Sequence, residues 1–351
     1  MADSRQLSNS LHDRGFVSRV ASQVSLPYRR TNERQIVRHN GDLTVTFTAQ
    51  GDEMPYGKWP RLFDAYLATM VTSQDSSYDT SRRRLYLGGT WRSFMKRLGA
   101  NVGGSQLKVI RKQMENWFKT SYMVERVNDA ESQGVAFQVG EGWRIDWLKD
   151  EPQDDVLPGF ENWVEFGERF IEKVVCDNPV PVSLEALSKL GKSPMALDVY
   201  LWVNRRMLYL RESQLVPWQL LYQQFGSDSR MAKFKENFKK AVDRVTDAYP
   251  AVNVTISDER GVTLFPSRTS VPTTAQTRAA ELLAKQSRKR SEQETAKPSK
   301  REVSEADIGR VLEHIEYGDD FLAARRHVVH GLTAGYAGKN IIDAWNSGER
   351  F

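Results

Sequence analysis

The sequence predicts an α+β protein built from a duplicated unit. Three observations carry that prediction: stretches of helical periodicity alternate with short β runs, the order of those elements recurs after about 120 to 130 residues, and each recurrence ends on a pair of β runs. At 351 residues the length prior gives about two domains. A repeat of that size is a duplicated domain and not a solenoid.

The first forty residues are polar, rich in Ser, Arg, Gln and Asn, and read as a flexible N-terminal arm, 1–40. In the first unit, 41–150, the alternation Leu43 to Thr48 predicts a strand. The spacing of Leu62, Phe63, Tyr66, Leu67 and Met70 then predicts a helix. The short apolar Leu85 to Gly88 precedes helical patterns at Trp91 to Leu98 and roughly Gly104 to Lys119, parted by a Gly-rich breaker. Two β runs close the unit, Tyr122 to Val127 and Val135 to Trp147.

Asp150 to Glu172 hold eight acids against Arg169 alone, so 151–168 reads as an acidic connector. The second unit, 169–267, starts with a β run around Phe170 to Cys176 and a short helix, Leu184 to Leu190. A long helix in SPMALDVYLWVNRRMLYL follows, then helices Pro217 to Phe225 and Arg230 to Ala248, and the strand pair NVTIS and GVTLFPS. The echo is visible in residues: FDAYL and LDVYL each set an Asp two places before Tyr-Leu, on corresponding helices. Leu98-Gly99 and Phe225-Gly226 each end a helix before a polar turn and a basic helix.

Helix, tight turn, second helix and β-hairpin is the outline of a winged helix-turn-helix, whose last helix enters the major groove. Leu107, Ile110, Met114, Trp117 and Phe118 form one stripe of the first such helix, leaving Ser105, Gln106, Lys108, Arg111 and Lys112 to face away. On the second, Phe234, Phe238, Ala241, Val242 and Val245 leave Arg230, Lys233, Lys235, Asn237, Lys239, Lys240 and Arg244 around the rest. Those six basic residues stand against only Glu236 and Asp243. Arg and Lys neutralise phosphates and read guanine, and Gln or Asn bonds adenine, so these residues are candidate contacts to double-stranded DNA. Arg144 and Arg260, in or near the two hairpins, are candidate wing contacts. The plain alternative for each helix is a solvated amphipathic surface helix, and the recurrence of the same context argues against it. The tryptophans Trp91, Trp117, Trp143, Trp147, Trp202 and Trp218 read as core.

Beyond this, 268–303 reads as a basic linker. Its Arg278 to Arg301 portion carries eight basic residues against three acidic ones, a surplus equal to the whole chain's net charge of +5. Residues 304–351 read as a helical C-terminal appendage with helices opening at Ser304 and Asp319. The single cysteine, Cys176, excludes an internal disulfide or CxxC site and suits a reducing compartment, so the expected location is the cytoplasm. No run approaches the roughly 18 apolar residues of a membrane span. Catalysis finds no constellation. Gly191-Lys-Ser193 lacks the P-loop glycine five places earlier, where Ala186 stands. Tyr317-Gly-Asp-Asp320 reads as a helix end with an N-cap, and His327 and His330 have no third ligand and read as solvated helix polarity. No enzyme activity, metal or cofactor is expected.

The stretches MPYGKWPRLFDAYLATMVT, LYLGGTWRSFMKRLG, SLEALSKLGKSPMALDVYLWVNRRM, VPWQLLYQQFG, FKENFKKAVDRV and GVTLFPS resemble plasmid replication initiators of the RepA type, over about Met54 to Ser267. KSPMALDVYLW with PWQLLYQQFG is the most specific part. The resemblance implies two winged-helix domains that bind repeated origin sites (iterons), help to melt adjacent AT-rich DNA, and engage the host replication initiator and replicative helicase. It also implies interconversion of homodimers with active monomers, in a bacterial, plasmid-associated setting. Two rivals remain at this point: a repressor of a plasmid operon built from the same domains, and a protein-interaction scaffold.

Overall fold

A computed structural model describes residues 13–87, 105–128, 130–145, 162–226, 229–272, 303–316 and 320–349, with Lys96, Leu282 and Gly318. The chain divides into two compact units, Met1–Ala275 and Gln276–Phe351.

The larger unit opens with β1 (Arg14–Val17), a 3-10 turn (Val20–Ser22), β2 (Gln35–Asn40) and β3 (Leu43–Ala49). From residue 13 on, the segment expected as a flexible arm is therefore built into the fold. Val17, Val20, Val24 and Ile36 are buried, and β1 carries an alternating burial pattern too short to stand out in a polar stretch. Helix α1 (Lys58–Thr72) follows, then β4 (Tyr78–Asp79) and β5 (Arg84–Tyr86). The helix expected at Trp91 to Leu98 lies outside the described residues. Next come α2 (Ser105–Phe118), β6 (Thr120–Val127), β7 (Ser132–Gln138) and β8 (Gly140–Arg144).

Within the expected acidic connector, β9 (Trp163–Phe166) is a strand, because Trp163, Val164, Glu165 and Phe166 alternate between partly and fully buried. The next segment corrects a sequence expectation. Phe170 to Cys176 is not a β run but helix α3 (Glu168–Phe170) continuing as a π turn (Ile171–Val175). Its β-branched composition suggested a strand, but Phe170, Ile171, Val174 and Val175 are the buried positions, and that is a helical spacing.

The rest of the unit is β10 (Val180–Ser183), α4 (Leu184–Leu190), α5 (Pro194–Met207), β11 (Gln214–Pro217), α6 (Trp218–Phe225), α7 (Met231–Ala248), β12 (Asn253–Ser257) and β13 (Gly261–Phe265). Ser183 and Ser193 cap α4 and α5 by accepting from the backbone N–H three residues on, and Pro194 follows the second cap.

All strand pairings are antiparallel. The sheets run β2-β3-β6-β7, β4-β5-β9-β8, β11-β13-β12 and β1-β10. The two halves thus differ: β5 pairs with β9 and β4, whereas β11, its counterpart in the echo, pairs with the second strand of its own hairpin.

One hydrophobic cluster runs from Val17 to Leu264 through both halves. In the first half it is largely aromatic, with Trp117 within about 6 Å of Phe63, Phe118, Phe166 and Phe170. In the second, Trp202, Trp218, Phe225, Phe234 and Phe238 pack edge to face. Trp117, Trp202 and Trp218 are core residues as expected, whereas Trp143 is 38% exposed, lying beside Phe118 with the Lys119 ammonium over its ring. Trp91 and Trp147 lie outside the described residues.

The echoed aspartates are both buried. Asp198 on α5 receives two bonds of 2.6 Å, from Nε and from an Nη of Arg61 on α1. The remaining Arg61 donors reach the carbonyls of Gly57 and Leu26. Burial opposes the Arg61 charge, and the Asp198 carboxylate outweighs it and holds the proton. Asp64 accepts from the Ser18 backbone N–H at 2.8 Å, and Thr69 accepts from Phe16, so the segment around β1 is bonded to α1. At Gly15 a Cβ would stand 2.4 Å from Leu184, so only glycine lets β1 approach α4 this closely.

The smaller unit packs α8 (Glu305–Leu312), α9 (Phe321–Thr333) and α10 (Gly338–Asn346) around Ile308, Val311, Leu312, Val328 and Ile341. Ser304 and Asp320 cap the first two helices as expected. α10 was not anticipated: its core positions, Ile341 and Ala344, are too few for a clear period. His327, expected as solvated, is buried, with Nε2 3.1 Å from the Ile341 carbonyl oxygen. No described helix is long and apolar enough to cross a membrane.

Removing Asp198 leaves the Arg61 guanidinium buried without its counter-charge. Asp198→Ala is expected to cost about 3–5 kcal/mol in urea unfolding, whereas a paired Arg61→Met, Asp198→Leu change costs far less. A full-sized loss in the double variant would overturn this account.

Asp64 gives a pH dependence. Burial, partly offset by its bonds to Ser18, raises its pKa to about 6, while in the unfolded chain it ionises near 3.9. Stability from this group is fully present below about pH 4, falls as pH rises to about 6, and is flat above. Asp64→Asn is therefore expected to gain up to about 3 kcal/mol relative to wild type at pH 8, with the gain fading between pH 6 and 4. Equilibrium unfolding at the two ends checks it.

Candidate nucleic-acid interface

Helix α2 buries Ile110, Met114, Trp117 and Phe118 as the stripe requires. Gln113 is buried beside them, where its side-chain oxygen accepts from the Tyr56 backbone N–H at 2.8 Å. Gln106, Lys108, Arg111 and Lys112 are exposed, which is the outward face expected. Ser105 is the first residue of the helix; its side chain and that of Leu107 lie outside the described set. Two of the cations have partners on the protein. Arg111 donates to Glu115 at 3.0 Å, and Lys112 bonds Glu53 at 2.8 Å. Glu53 also pairs with Arg30, and its carboxyl is held below the ordinary range first by the Lys112 bond.

Helix α7 turns Phe234, Phe238, Ala241, Val242 and Val245 inward and fully buries them. Arg230 sits at its N-cap, exposed, and Asn237 is half-buried. Its four lysines do not simply project into water. Lys233 and Lys240 both bond Glu236, at 2.9 and 2.7 Å, and these bonds hold the Glu236 carboxyl down at about 2. Lys235 donates to the Asp258 carbonyl at 2.7 Å, and Lys239 bonds the Asp258 carboxylate.

Asp258 stands in the turn between β12 and β13, so this second pair of lysines ties the hairpin tip to the helix. Trp218 completes the corner. Its indole N–H donates to the Ser257 carbonyl at 2.8 Å, while the Lys235 ammonium lies 5.4 Å from its ring centroid. Arg260, in the same turn, is exposed, and its backbone N–H donates to Ser257 Oγ. The sequence reading named the basic residues of this corner and missed the bracing. The available signal was an acid in the Asp258-Glu-Arg-Gly261 turn, at the tip of the strand pair that follows the lysines.

Gly226 ends α6 at φ 56, the left-handed region that glycine tolerates. A Cβ there would lie 2.1 Å from the Arg38 guanidinium of β2, so the turn between α6 and α7 is also a contact with the first half. The second candidate wing is different. Arg144 is exposed at the end of β8, opposite Trp163 of β9, and β8 leaves the sheet of β6 and β7. The hairpin that follows α2 is therefore β6 with β7, locked to β3 along the whole of β6. Arg144 is not on it.

The motifs set aside occupy structural places. Gly191 closes α4 and Ser193 caps α5. Among the described residues no three His, Cys, Asp or Glu side chains are grouped to hold a metal ion. Of the basic linker residues 268–272, Leu282 and Val303 are described, and the Arg268 carbonyl accepts from the Tyr249 hydroxyl.

Comparison with known proteins gives three results. No curated protein matches the chain. Among solved structures the chain is similar to a crystal structure of RctB domains 2-3, at 11% identity and a TM-score of 0.42, covering 70% of this chain and 93% of that one. A second structure of the same two RctB domains, a selenomethionine derivative, gives 10% identity and a TM-score of 0.47, covering 73% and 97%. The family described as plasmid encoded RepA protein matches residues 54–219, from the loop before α1 to the start of α6. That span holds both buried aspartates and the Arg61–Asp198 pair, and over it the chain is similar to the plasmid-encoded RepA protein family.

Proposed function

We propose that this protein is a non-enzymatic plasmid replication initiator that binds double-stranded origin repeats through two winged-helix lobes, 41–150 and 169–267. In this reading α7 and α2 are the groove-entering helices. The observation that carries it is the second lobe: α6, a tight glycine turn, α7 with its cationic outer face, and a hairpin in a sheet ordered β11-β13-β12. A winged helix requires this arrangement, with the strand before the helix pair joined to the hairpin's returning strand. The first lobe supports it less directly, since its hairpin is shared with β3.

Arg230, Lys233, Lys235, Asn237, Lys239 and Lys240 on or at the start of α7 meet DNA with Arg260 on the wing, and Ser105, Gln106, Lys108, Arg111 and Lys112 of α2 meet a second groove. Arg144 remains a backbone contact. Engagement of the host initiator and helicase, AT-rich melting, a homodimeric resting form and a cytoplasmic, plasmid-associated setting complete the reading through the family. Two joined readers span about 20 base pairs, since successive major grooves on one face lie about 10 to 10.5 base pairs apart.

The bracing acids make a sharper statement. Glu236 and Asp258 each hold two of the lysines that DNA phosphates would otherwise engage. Glu236→Gln is expected to raise affinity for DNA several-fold, while Lys239→Ala with Lys240→Ala lowers the slope of log affinity against log salt by about two. An unchanged slope in a folded double variant would remove α7 from the interface.

Footprinting on fragments of the source plasmid at near-physiological salt tests the function itself. Repeated protected sites of about 20 base pairs beside permanganate-reactive AT-rich DNA are expected. One promoter-proximal site without melting would instead make the protein a repressor, and no protection would leave an interaction scaffold.

A further inference from the structure

Where the last turn of α5 meets the ends of β2, β3 and β6 lies a half-open cavity of about 380 Å³. This volume falls within the range of small-ligand sites. Its cationic wall comes from Arg126 on β6 and from Arg205 and Arg206 on α5. Arg206 donates to Gln214 at 2.7 Å and lies over the Trp202 ring, and Arg205 lies over the Tyr209 ring. Among the described residues none of the three arginines forms an ion pair with a carboxylate, although Asp42 also lines the space.

The same fold treats its buried arginine differently, giving Arg61 a bidentate aspartate, whereas Arg205 and Arg206 are half-buried and Arg126 exposed. Three guanidinium groups brought together without an ion-paired carboxylate repel one another, with Asp177 offsetting this only in part at Arg205. Burial first, then the neighbouring Arg19 and Arg126, pull Arg205 below the ordinary arginine range, and burial with Arg205 does the same to Arg206. An anion entering the cavity relieves both penalties. Planar forked donors suit the tetrahedral oxygens of phosphate. Beside Arg205 the Tyr209 ring is 64% exposed and offers a flat face of the kind on which nucleobases stack.

We propose that this cavity is a binding site for the phosphate group of a nucleotide, taken either from a free nucleotide or from a DNA strand. It does not depend on α2 or α7 entering DNA grooves. The three arginines clamp the phosphate and Tyr209 carries the base.

The test uses the full-length protein, with Arg126→Gln, Arg205→Gln and Arg206→Gln variants checked for folding by circular dichroism and melting. Arg126→Gln, on an exposed side chain at the end of a strand, keeps the test intact if the α5 variants do not fold. Inorganic pyrophosphate and adenosine triphosphate are titrated by calorimetry and by tryptophan fluorescence without DNA. Saturable binding that each variant weakens about tenfold or more supports the site with a free nucleotide as source. No such binding, but a salt slope of affinity for scrambled-sequence DNA that falls by about one per arginine replaced, supports it with a strand phosphate as source. Variants that fold and match wild type in both assays overturn it. Because Lys239→Ala with Lys240→Ala reports on α7 alone, failure here and failure of the groove-reading helices are separately visible.

Discussion

The Arg61–Asp198 pair is the constraint around which the larger unit is organised. A bidentate ion pair that is almost wholly buried fixes distance and angle between its two helices, and here those helices belong to different halves of the chain. The same guanidinium holds the carbonyls of Leu26 and Gly57, so α1, α5 and the segment leading into α1 meet at one side chain. Two halves joined by a loose tether would move independently. Joined through this pair and one continuous hydrophobic cluster, they are held at a set spacing.

The residues of the sequence echo are put to unequal use in the structure. Asp64 and Asp198 occupy matching places in FDAYL and LDVYL, yet Asp198 closes an ion pair, whereas Asp64 meets no cation among the described residues and burial raises its pKa against the backbone N–H bond it accepts. The strands diverge too, β11 completing its own lobe's sheet while β5 joins β9. The second half keeps the self-contained pattern, and the first spends its hairpin on a wider sheet with β2 and β3.

Helices α2, α6 and α7 were legible because each buries a stripe at helical spacing, α1 and α5, buried almost all round, because they are long apolar runs, and the final hairpin because its strands flank a turn-forming Asp-Glu-Arg-Gly. What escaped was set by partners distant in sequence. β1 and β9 are four residues each, too short for a period to rise above a polar or acidic background, and they exist through β10, β5 and β8. The π turn at Ile171–Val175 misled because β-branched residues were read by type and not by spacing. The outward cations of α2 and α7 were found, since a buried stripe implies its opposite face. The acids that brace them, and the arginines gathered from β6 and α5, depend on tertiary approach that no local pattern records.

The pairing of β1 with β10 has a consequence for how the chain is made. Val17 leaves the ribosome 163 residues ahead of its partner Val180. At about 5–20 residues per second, the first strand waits on the order of ten to thirty seconds before its ladder can close. Through that interval its backbone groups have no sheet to join, although α1 follows only about fifty residues behind to take Phe16 and Ser18. The first half therefore emerges as an incomplete surface that its own C-terminal half must finish, and synthesis halted between the two would leave a sticky, unpaired fragment instead of a folded domain.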